Sequence, residues 1–297
     1  MFGRQAYIGM SSATLGSLTV GRQYDSVVDY LAPLTANGGW AGAMFAHPYD
    51  NDNTDNTFRL NNAIKYSSPN CGGLTFGGVY AFSNSTNFAA NRAESIGAHY
   101  TNGGLAIAAV YLNVDQPNNG TTGAVAVGPN GGTDGSWTAG QQRVFGAGIT
   151  YTIASATVGF VYSNTKLSNP TATEYADFAG SSSLGNASSL KFDNFELNAR
   201  YQFTSAFFVG GMYTYTQATY KGTSGGSAKV RYQQFGLMAD YNLSKRTDVY
   251  AQIGYVTVSG DAGLAGTGLD VAANVDAATP SSTNKQLMSR VGIRHMF

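Results

Sequence analysis

The feature of this 297-residue sequence that most constrains its fold is a repeated alternation of apolar and polar residues with a period of two. Such alternation gives a β-strand one apolar face and one polar face. For example, Phe195 and Leu197 share one face of a segment and Glu196 lies on the other. The alternation and the turn residues between segments predict thirteen strands, near residues 2–10, 15–23, 59–67, 74–83, 92–101, 105–114, 142–153, 156–166, 191–203, 207–221, 229–243, 248–259 and 284–297.

Connector length distinguishes the two folds that this pattern allows, a soluble β-sandwich and a membrane β-barrel. The apolar face is core in a sandwich, whereas it contacts lipid in a barrel. Every second predicted connector is short, and those between are longer or more variable. Short turns on one rim and long loops on the other are typical of an outer-membrane barrel, so we predict an all-β, antiparallel transmembrane barrel. The short connectors are 11–14, 68–73, 102–104, 154–155, 204–206 and 244–247, and long ones include 115–141, 167–190 and 260–283.

Aromatic residues collect where the predicted strands meet the short turns. Outer-membrane barrels carry such aromatic girdles at the membrane interfaces. The composition also fits a barrel wall, because only 11% of the residues are charged while the mean hydropathy is slightly below zero. We therefore predict that the outer face contacts outer-membrane lipid. The aromatic residues at these positions are Tyr66, Tyr100, Tyr151, Tyr201, Phe203, Phe207 and Tyr241.

Charge, cysteine and histidine content argue against several other classes of protein. The formal net charge is zero, so nothing suggests a nucleic-acid partner. Cys71 is the single cysteine, and the sequence has no Cys or His cluster that predicts a metal site; no cofactor is predicted. The longest apolar stretch, at 105–112, is far shorter than the roughly 20 residues of a spanning helix. His47, His99 and His295 have no serine at a hydrolase spacing, so we predict no enzymatic activity.

The last predicted strand ends in a pattern expected of an assembly signal. Val291, Ile293 and the terminal Phe297 share one face of this strand. A terminal aromatic residue after alternating apolar residues resembles the signal by which outer-membrane proteins are recognised for assembly. We therefore expect the bacterial outer membrane as the location and the barrel-assembly machinery as a partner.

Strand parity bears on the start of the chain. Thirteen strands cannot close as an antiparallel barrel, because the closing pair would be parallel, and bacterial single-chain barrels have even strand numbers. An unclosed barrel would leave unpaired backbone in lipid. We expect that an N-terminal portion, most simply three strands, is missing from this sequence. No export signal is visible at its beginning.

The connector at residues 23–58 is the segment that most directly predicts function. It contains five acidic residues and no lysine or arginine, and Arg22 and Arg59 bracket it. We interpret it as a loop folded into the lumen of a single-domain barrel formed by residues 1–297, with both arginines facing it from the wall. The five acids are Asp25, Asp29, Asp50, Asp52 and Asp55.

Four segments together resemble the general trimeric porins of Gram-negative bacteria, most closely those of beta-proteobacteria. The resemblance spans the whole chain and implies a homotrimer of sixteen-stranded barrels whose third extracellular loop forms the constriction. It also implies that the first three strands are absent here. By the family pattern, Arg4, Arg22 and Arg59 form a positive ladder facing the inward loop. The four segments are 2–10 (FGRQAYIGM), 20–31 (VGRQYDSVVDYL), 58–70 (FRLNNAIKYSSPN) and 291–297 (VGIRHMF).

Sequence geometry supports these pore residues unevenly. Alternation in the third predicted strand places Arg59 and Lys65 on the lumen face and Leu60 on the lipid face. Arg4 and Arg22 share parity with lipid-facing residues, so each needs a bulge or bend to point inward.

The candidate acids of the constriction are Asp50, Asp52 and Asp55, near the return of the loop to the wall. Their surroundings are rich in Asn and Asp, which also fits turn chemistry or a weak site for a hard cation. Further predicted residues of the lumen wall are Arg290, Arg294, Glu196 and Arg200.

The predicted function is passive diffusion of small hydrophilic solutes and ions through a water-filled channel. Opposed acidic and basic surfaces create a transverse field that orients dipolar solutes and sorts ions by charge. Wall arginines favour anions and loop aspartates favour cations, and we expect a slight preference for anions because several loop acids fit turns. The alternative is a plugged barrel that acts as an adhesin or surface-binding protein through its long loops.

Overall fold

The computed structural model describes residues 3–126, 137–173, 184–265, 267–274 and 279–296. All thirteen predicted strands are present in one antiparallel sheet, so that prediction is confirmed, with ends shifted by a few residues. The strands are β1 (Ala6–Ser12), β2 (Gly16–Gln23), β3 (Leu60–Ser67), β4 (Leu74–Ala81), β5 (Ala93–Asn102), β6 (Leu105–Asp115), β7 (Trp137–Thr138), β8 (Gln141–Ile153), β9 (Ala156–Ser168), β10 (Ala172–Thr173), β11 (Ala187–Gln202), β12 (Phe207–Gly222), β13 (Ser227–Asn242), β14 (Thr247–Gly260) and β15 (Lys285–His295).

The sheet is a meander in which each strand pairs with the next one along the chain. Across the described residues, β1 and β15 are its two outer strands and no ladder joins them. The exceptions to the meander are β7 and β10, which pair with each other in a separate two-stranded sheet between the long connectors. The sequence does not predict this pair, because two residues are too few to show alternation. None of the described helices is long and apolar enough to cross a membrane.

The two faces of the main sheet differ in the way the alternation predicts. On β11, Phe195 and Leu197 are exposed on the outer face, whereas Asn194 and Glu196 are fully buried on the inner face. Aromatic rings also meet at the short turn after β11, where the ring centroids of Tyr201 and Phe203 are 4.7 Å apart. On β11 the outer face is therefore apolar and aromatic, and the polar residues point inward.

Residues 24–59 pack against the inner face of the sheet over most of its width. The π-helical turn Val27–Leu31 contacts β5, β6 and β8. Farther along the chain, Phe45 packs with Phe208 and Met238 of β12 and β13. Because one segment contacts the same face of strands from β5 to β13, the sheet curves around it. Its helical turns are Val27–Leu31, Ala32–Leu34, Asn37–Ala41, Ala43–Phe45 and Pro48–Asp50, and a further one, Ala262–Leu264, lies in the connector after β14.

A bulge interrupts the pairing of β2 with β3. The register shifts between the pairs Gly21↔Ala63 and Gln23↔Leu60, and Asn62 has a positive φ of 52°. Leu60 is consequently buried completely on the inner side. The prediction that Leu60 faces lipid is therefore wrong, because uninterrupted alternation does not allow for the extra residue. The bulge predicted to reorient Arg22 does exist, but the extra residue is on the neighbouring strand.

Glycine on the inner face allows aromatic residues of the loop to reach the wall. A Cβ atom added to Gly236 of β13 would lie 2.7 Å from Cζ of Phe45, which is fully buried. The same addition at Gly254 of β14 would meet its nearest neighbours, in Met44 and Met288, at an ordinary 3.5 Å. The close approach of Phe45 therefore requires glycine at 236.

We expect Gly236→Ala to displace the loop from the wall, because the added methyl group overlaps the fully buried ring of Phe45. Overpacking of this kind costs about 1–3 kcal/mol. The measurement is the midpoint of heat unfolding in detergent, with Gly254→Ala as the control on the same face. Equal midpoints for the two variants would contradict the proposed packing.

Candidate functional site

A buried ionic cluster joins the tip of the loop to the wall. His47 Nδ1 lies 2.7 Å from Asp52 Oδ2, and His47 Nε2 lies 3.1 Å from Glu196 Oε2 of β11. All three side chains are inaccessible to solvent, and the hydroxyl of Ser163 on β9 also donates to Asp52. The cluster therefore ties the loop to two neighbouring strands.

The protonation state of His47 follows from these contacts. Burial by itself disfavours the imidazolium, but the charges and hydrogen bonds of Asp52 and Glu196 outweigh it and raise the pKa of His47 well above 6.5. Burial also acts against the carboxylate of Asp52, yet His47 and the hydroxyl donors lower its pKa. At neutral pH His47 is therefore protonated.

Glu196, predicted to line the lumen wall, is an anchor for the loop in this structure. Its Oε1 accepts a hydrogen bond from the backbone N–H of Ala36 at 2.7 Å and from Asn198 at 2.6 Å. Its other oxygen contacts His47. Both carboxylate oxygens are thus engaged by groups that hold the loop.

Asp50 and Asp52 are also buried, so neither carboxylate lines an opening. Asp50 accepts hydrogen bonds from the backbone N–H of Asp55 at 2.9 Å and from the Thr57 hydroxyl at 2.6 Å. Around it, several residues of the Asn/Asp-rich run have positive φ angles, which these residue types tolerate. The expectation that Asp50 and Asp52 face the pore does not match their burial, and turn chemistry accounts for Asp50. The Asn and Asp residues with positive φ are Asp50, Asn53 and Asn56.

Asp55 is the predicted constriction acid that stays partly exposed. Burial raises its pKa to about 6, while the Asn37 amide and the positive charges of Arg4, Arg290 and Arg59 lower it. These arginines come from three different parts of the wall, at its beginning, after the loop and on the last strand. The positive charges of these three arginines thus all favour the ionised form of the Asp55 carboxylate.

The basic residues flanking the loop have different partners. Arg59 Cζ lies 5.7 Å from the ring centroid of Tyr24, and the guanidinium donates to the Thr57 carbonyl at 3.0 Å. Lys65 forms an ion pair with Asp29 of the loop. The positive charge of Lys65 is therefore compensated locally.

Arg22 has partners at the bulge. Its Nε donates to the carbonyl of Gly3 at 3.0 Å, and its Nη1 donates to the side chain of Asn61. The bulge therefore supplies the side-chain acceptor that holds the Arg22 guanidinium beside β3.

The remaining wall arginines lie on inward-facing positions of β11 and β15. Arg290 donates to Gln252 Oε1 from Nε at 2.9 Å and from Nη2 at 2.6 Å. Arg294 donates to Asp248 at 2.9 Å. Arg200 Cζ lies 5.3 Å from the ring centroid of Phe208, to which Trp40 of the loop also packs.

On the opposite face of β15, Val291 and Ile293 are exposed, at 84% and 68%. They thus share the outer, apolar side of the sheet. Phe297, the third residue of the predicted assembly signal, lies outside the described residues.

A second set of anchors, on the long-loop side, was not predicted from the sequence. Tyr49 donates through its hydroxyl to the Gly268 carbonyl at 2.6 Å, and its ring centroid lies 5.8 Å from that of Trp137. Asn274 donates to the Met44 carbonyl at 2.6 Å. The connector after β14 therefore reaches down to the constriction loop. A lone tyrosine or asparagine in a loop carries no sequence signal for such contacts.

Metal ions in proteins are bound by groups of neighbouring side chains such as His, Cys, Asp and Glu. In the part of the chain that the structure describes, no three His, Cys, Asp or Glu side chains are grouped so as to hold a metal ion.

An antiparallel sheet with an apolar outer face, a polar inner face and a loop docked inside defines the class of outer-membrane β-barrel channels. The model of the Gram-negative porin family matches residues 1–293, so the chain belongs to that family. It is accordingly a protein of the bacterial outer membrane and not an enzyme.

Individual relatives agree with this assignment. An outer membrane porin protein of Bordetella pertussis is 28% identical over 282 residues, covering 86% of this chain and 66% of the relative. The anion-selective porin from Comamonas acidovorans shares the fold, with a TM-score of 0.67 and 20% identity over 100% of this chain and 78% of that one. OmpT of Vibrio cholerae matches with a TM-score of 0.64 and 16% identity over 98% and 79%. This chain therefore spans about two thirds of the length of the Bordetella relative.

We expect His47→Gln to weaken docking of the loop, because the two buried carboxylates lose the cation between them. Breaking a buried ion pair costs on the order of 3 kcal/mol. The raised pKa of His47 stabilises the folded state fully at a pH below the unfolded value of 6.5. This stabilisation is lost as the pH rises through the raised pKa. The difference in unfolding midpoint between wild type and variant should therefore shrink from pH 6 to pH 10.

The control is His295→Gln, which alters an exposed histidine at the end of β15. It should leave the unfolding midpoint near that of wild type at both pH values. A constant difference between wild type and His47→Gln across this pH range would contradict the imidazolium assignment.

Proposed function

We propose that this protein forms a water-filled channel for passive diffusion of small hydrophilic solutes and ions across the outer membrane. The observation that carries the proposal is the opposition of charge beside the docked loop. Asp55 on the loop is partly exposed, and the charges of Arg4, Arg59 and Arg290 act on it. A pore with acid on one side and arginine on the other carries a transverse field through which solutes pass.

We further propose a preference for anions. Three loop acids are buried and bonded within the protein, namely Asp25, Asp50 and Asp52. Asp29 is paired with Lys65. The balance of charge exposed beside the loop is then positive, since several arginines face one partly exposed acid. That one solved porin of the same fold is described as anion-selective supports this direction.

The proposed partners follow the family. We infer a homotrimer, in agreement with one solved OmpT of Vibrio cholerae that is described as a trimer form. Outer-membrane lipid would contact the apolar outer face. The barrel-assembly machinery would recognise Val291 and Ile293 of β15 together with the terminal Phe297.

A plugged barrel that acts as a surface-binding protein is the second candidate. One observation favours it: described residues 267–274 of the connector after β14 contact the constriction loop from the long-loop side. A loop in that position narrows the entrance.

Conductance separates the two candidates. Purified protein in planar lipid bilayers should give stable single-channel steps that grow with salt concentration. Under a salt gradient, the reversal potential should have the sign of an anion-selective pore. Heat-stable, β-rich barrels that give no steps would overturn the diffusion proposal in favour of the plugged barrel.

Asp55→Asn should make the channel more anion-selective at pH 8, because it removes the acid that opposes the arginines. Since the pKa of Asp55 is raised to about 6, lowering the pH from 8 to 5 neutralises the same carboxylate in the wild type. As the pH falls, the wild-type reversal potential should therefore move towards that of the variant, because the wild type loses the charge of Asp55 in addition to any charge that both proteins lose. Asp261→Asn, at an exposed position after β14, is the matched control.

A further inference from the structure

A cavity of about 370 Å³ lies between the constriction loop and the last strands of the wall. Its volume falls within the range of small-molecule sites. One of its lining residues fixes its position: Arg294 pairs with Asp248, next to the short turn between β13 and β14. The cavity therefore opens towards the short-turn side of the loop. It is lined by residues 37–43 and by Met238, Tyr250, Arg290 and Arg294.

The two arginines of this cavity differ in charge compensation. Arg294 is bound to the carboxylate of Asp248. Arg290 instead donates to the neutral side chain of Gln252, and no carboxylate lies within ion-pair distance of it in the described ranges. Asp55 attracts it only from farther away. The positive charge of Arg290 is thus not neutralised by an ion pair. Its Nε and Nη2 groups donate to Gln252, and its Nη1 group lies on the other edge of the guanidinium.

Planar apolar surfaces flank this charge. The ring of Tyr250 lies 5.5 Å from Arg290 Cζ and lines the cavity. Trp40 is half-buried, and edge-to-face contacts with Phe45 at 5.7 Å and Phe208 at 6.3 Å fix its ring plane. A ring held in this way presents a preorganised stacking surface, so a planar ligand loses little side-chain entropy on binding.

The rest of the lining adds no opposing charge. The segment 37–43 (NGGWAGA) contains no acidic residue. At Gly42, a Cβ atom would meet nothing within 4 Å, so open space adjoins the backbone. Met238 contributes a flexible apolar side chain that adapts to the shape of a ligand.

From these observations we propose that the cavity is a binding subsite for small organic monoanions that carry an aromatic ring, benzoate being the simplest. The carboxylate binds the guanidinium of Arg290, and the ring lies against Trp40 and Tyr250. Planar guanidinium groups both bind carboxylates and stack on aromatic rings, which suits them to such a ligand. The inference deepens the proposed channel function, since it names a solute class that the pore would retain on its way through.

Two measurements on detergent-solubilised and reconstituted protein test the subsite. Calorimetric titration measures binding of benzoate, acetate, cyclohexanecarboxylate and benzyl alcohol. Single-channel recording measures how much each compound reduces the potassium chloride current. We expect benzoate to bind and to reduce the current most, because it alone has both the charge and the planar ring.

Three variants test which residues contact benzoate. Arg290→Gln should weaken benzoate binding by about tenfold, the effect of losing one charge-assisted hydrogen bond. Trp40→Leu should weaken benzoate binding while leaving acetate binding unchanged. Lys285→Gln, on the same strand but outside the cavity lining, removes one positive charge and should change neither. The heat-unfolding midpoint of each variant identifies a folding defect, and Tyr250→Leu replaces Trp40→Leu if that variant does not fold.

Benzoate binding and salt conductance test the subsite and the channel separately. A protein that conducts salt but binds benzoate no better than acetate overturns the subsite and leaves the channel standing. A protein that binds benzoate through Arg290 but gives no current supports the subsite and overturns the channel. An equal loss of benzoate binding in Lys285→Gln and Arg290→Gln would show a general charge effect and overturn the site.

Discussion

The pairing of backbone groups where no water can reach them is the constraint on which the rest of this structure depends. Hydrocarbon offers no hydrogen bonds, so each N–H and C=O must bond to a neighbouring strand. Every strand that lies between β1 and β15 in the main sheet meets this requirement on both sides, and the pairing fixes the direction of the side chains wherever no bulge interrupts it. Outward positions need only be apolar, and inward positions are left for polar contacts. The ionic and hydrogen-bonded contacts with the loop therefore lie on the inner face.

On that inner face, polar anchors hold the loop more specifically than apolar packing alone could. His47 lies between Asp52 and Glu196, and each of the two carboxylates has further donors. Charges removed from water are tolerated only when they are fully paired, so a shifted loop would leave them uncompensated. The packing of Phe45 over Gly236 provides contact area, whereas the ionic cluster fixes the position of the loop along the wall.

The same loop shows why residue type does not determine a role. Asp50 and Asp55 are five positions apart and chemically identical. The first is buried and organises a turn, and the second is partly exposed and faces arginines. Anchoring thereby buries Asp50 and Asp52, and under the proposed function this would leave a positive balance of charge at the opening. The electrostatic character of the pore is a consequence of how the loop is held in place.

Local periodicity made the strands predictable, since period-two alternation is a property of adjacent residues. The alternation predicted the wrong face for Leu60, because the bulge inserts one residue there. It also carries no information about the contacts that Asp52 and Tyr49 make. His47 and Glu196 are 149 positions apart, and no local pattern relates them. The sequence by itself determined the sheet, its two faces and an acidic loop between arginines. Only the tertiary structure decided which acids are buried and which face the arginines, because burial depends on contacts between distant parts of the chain.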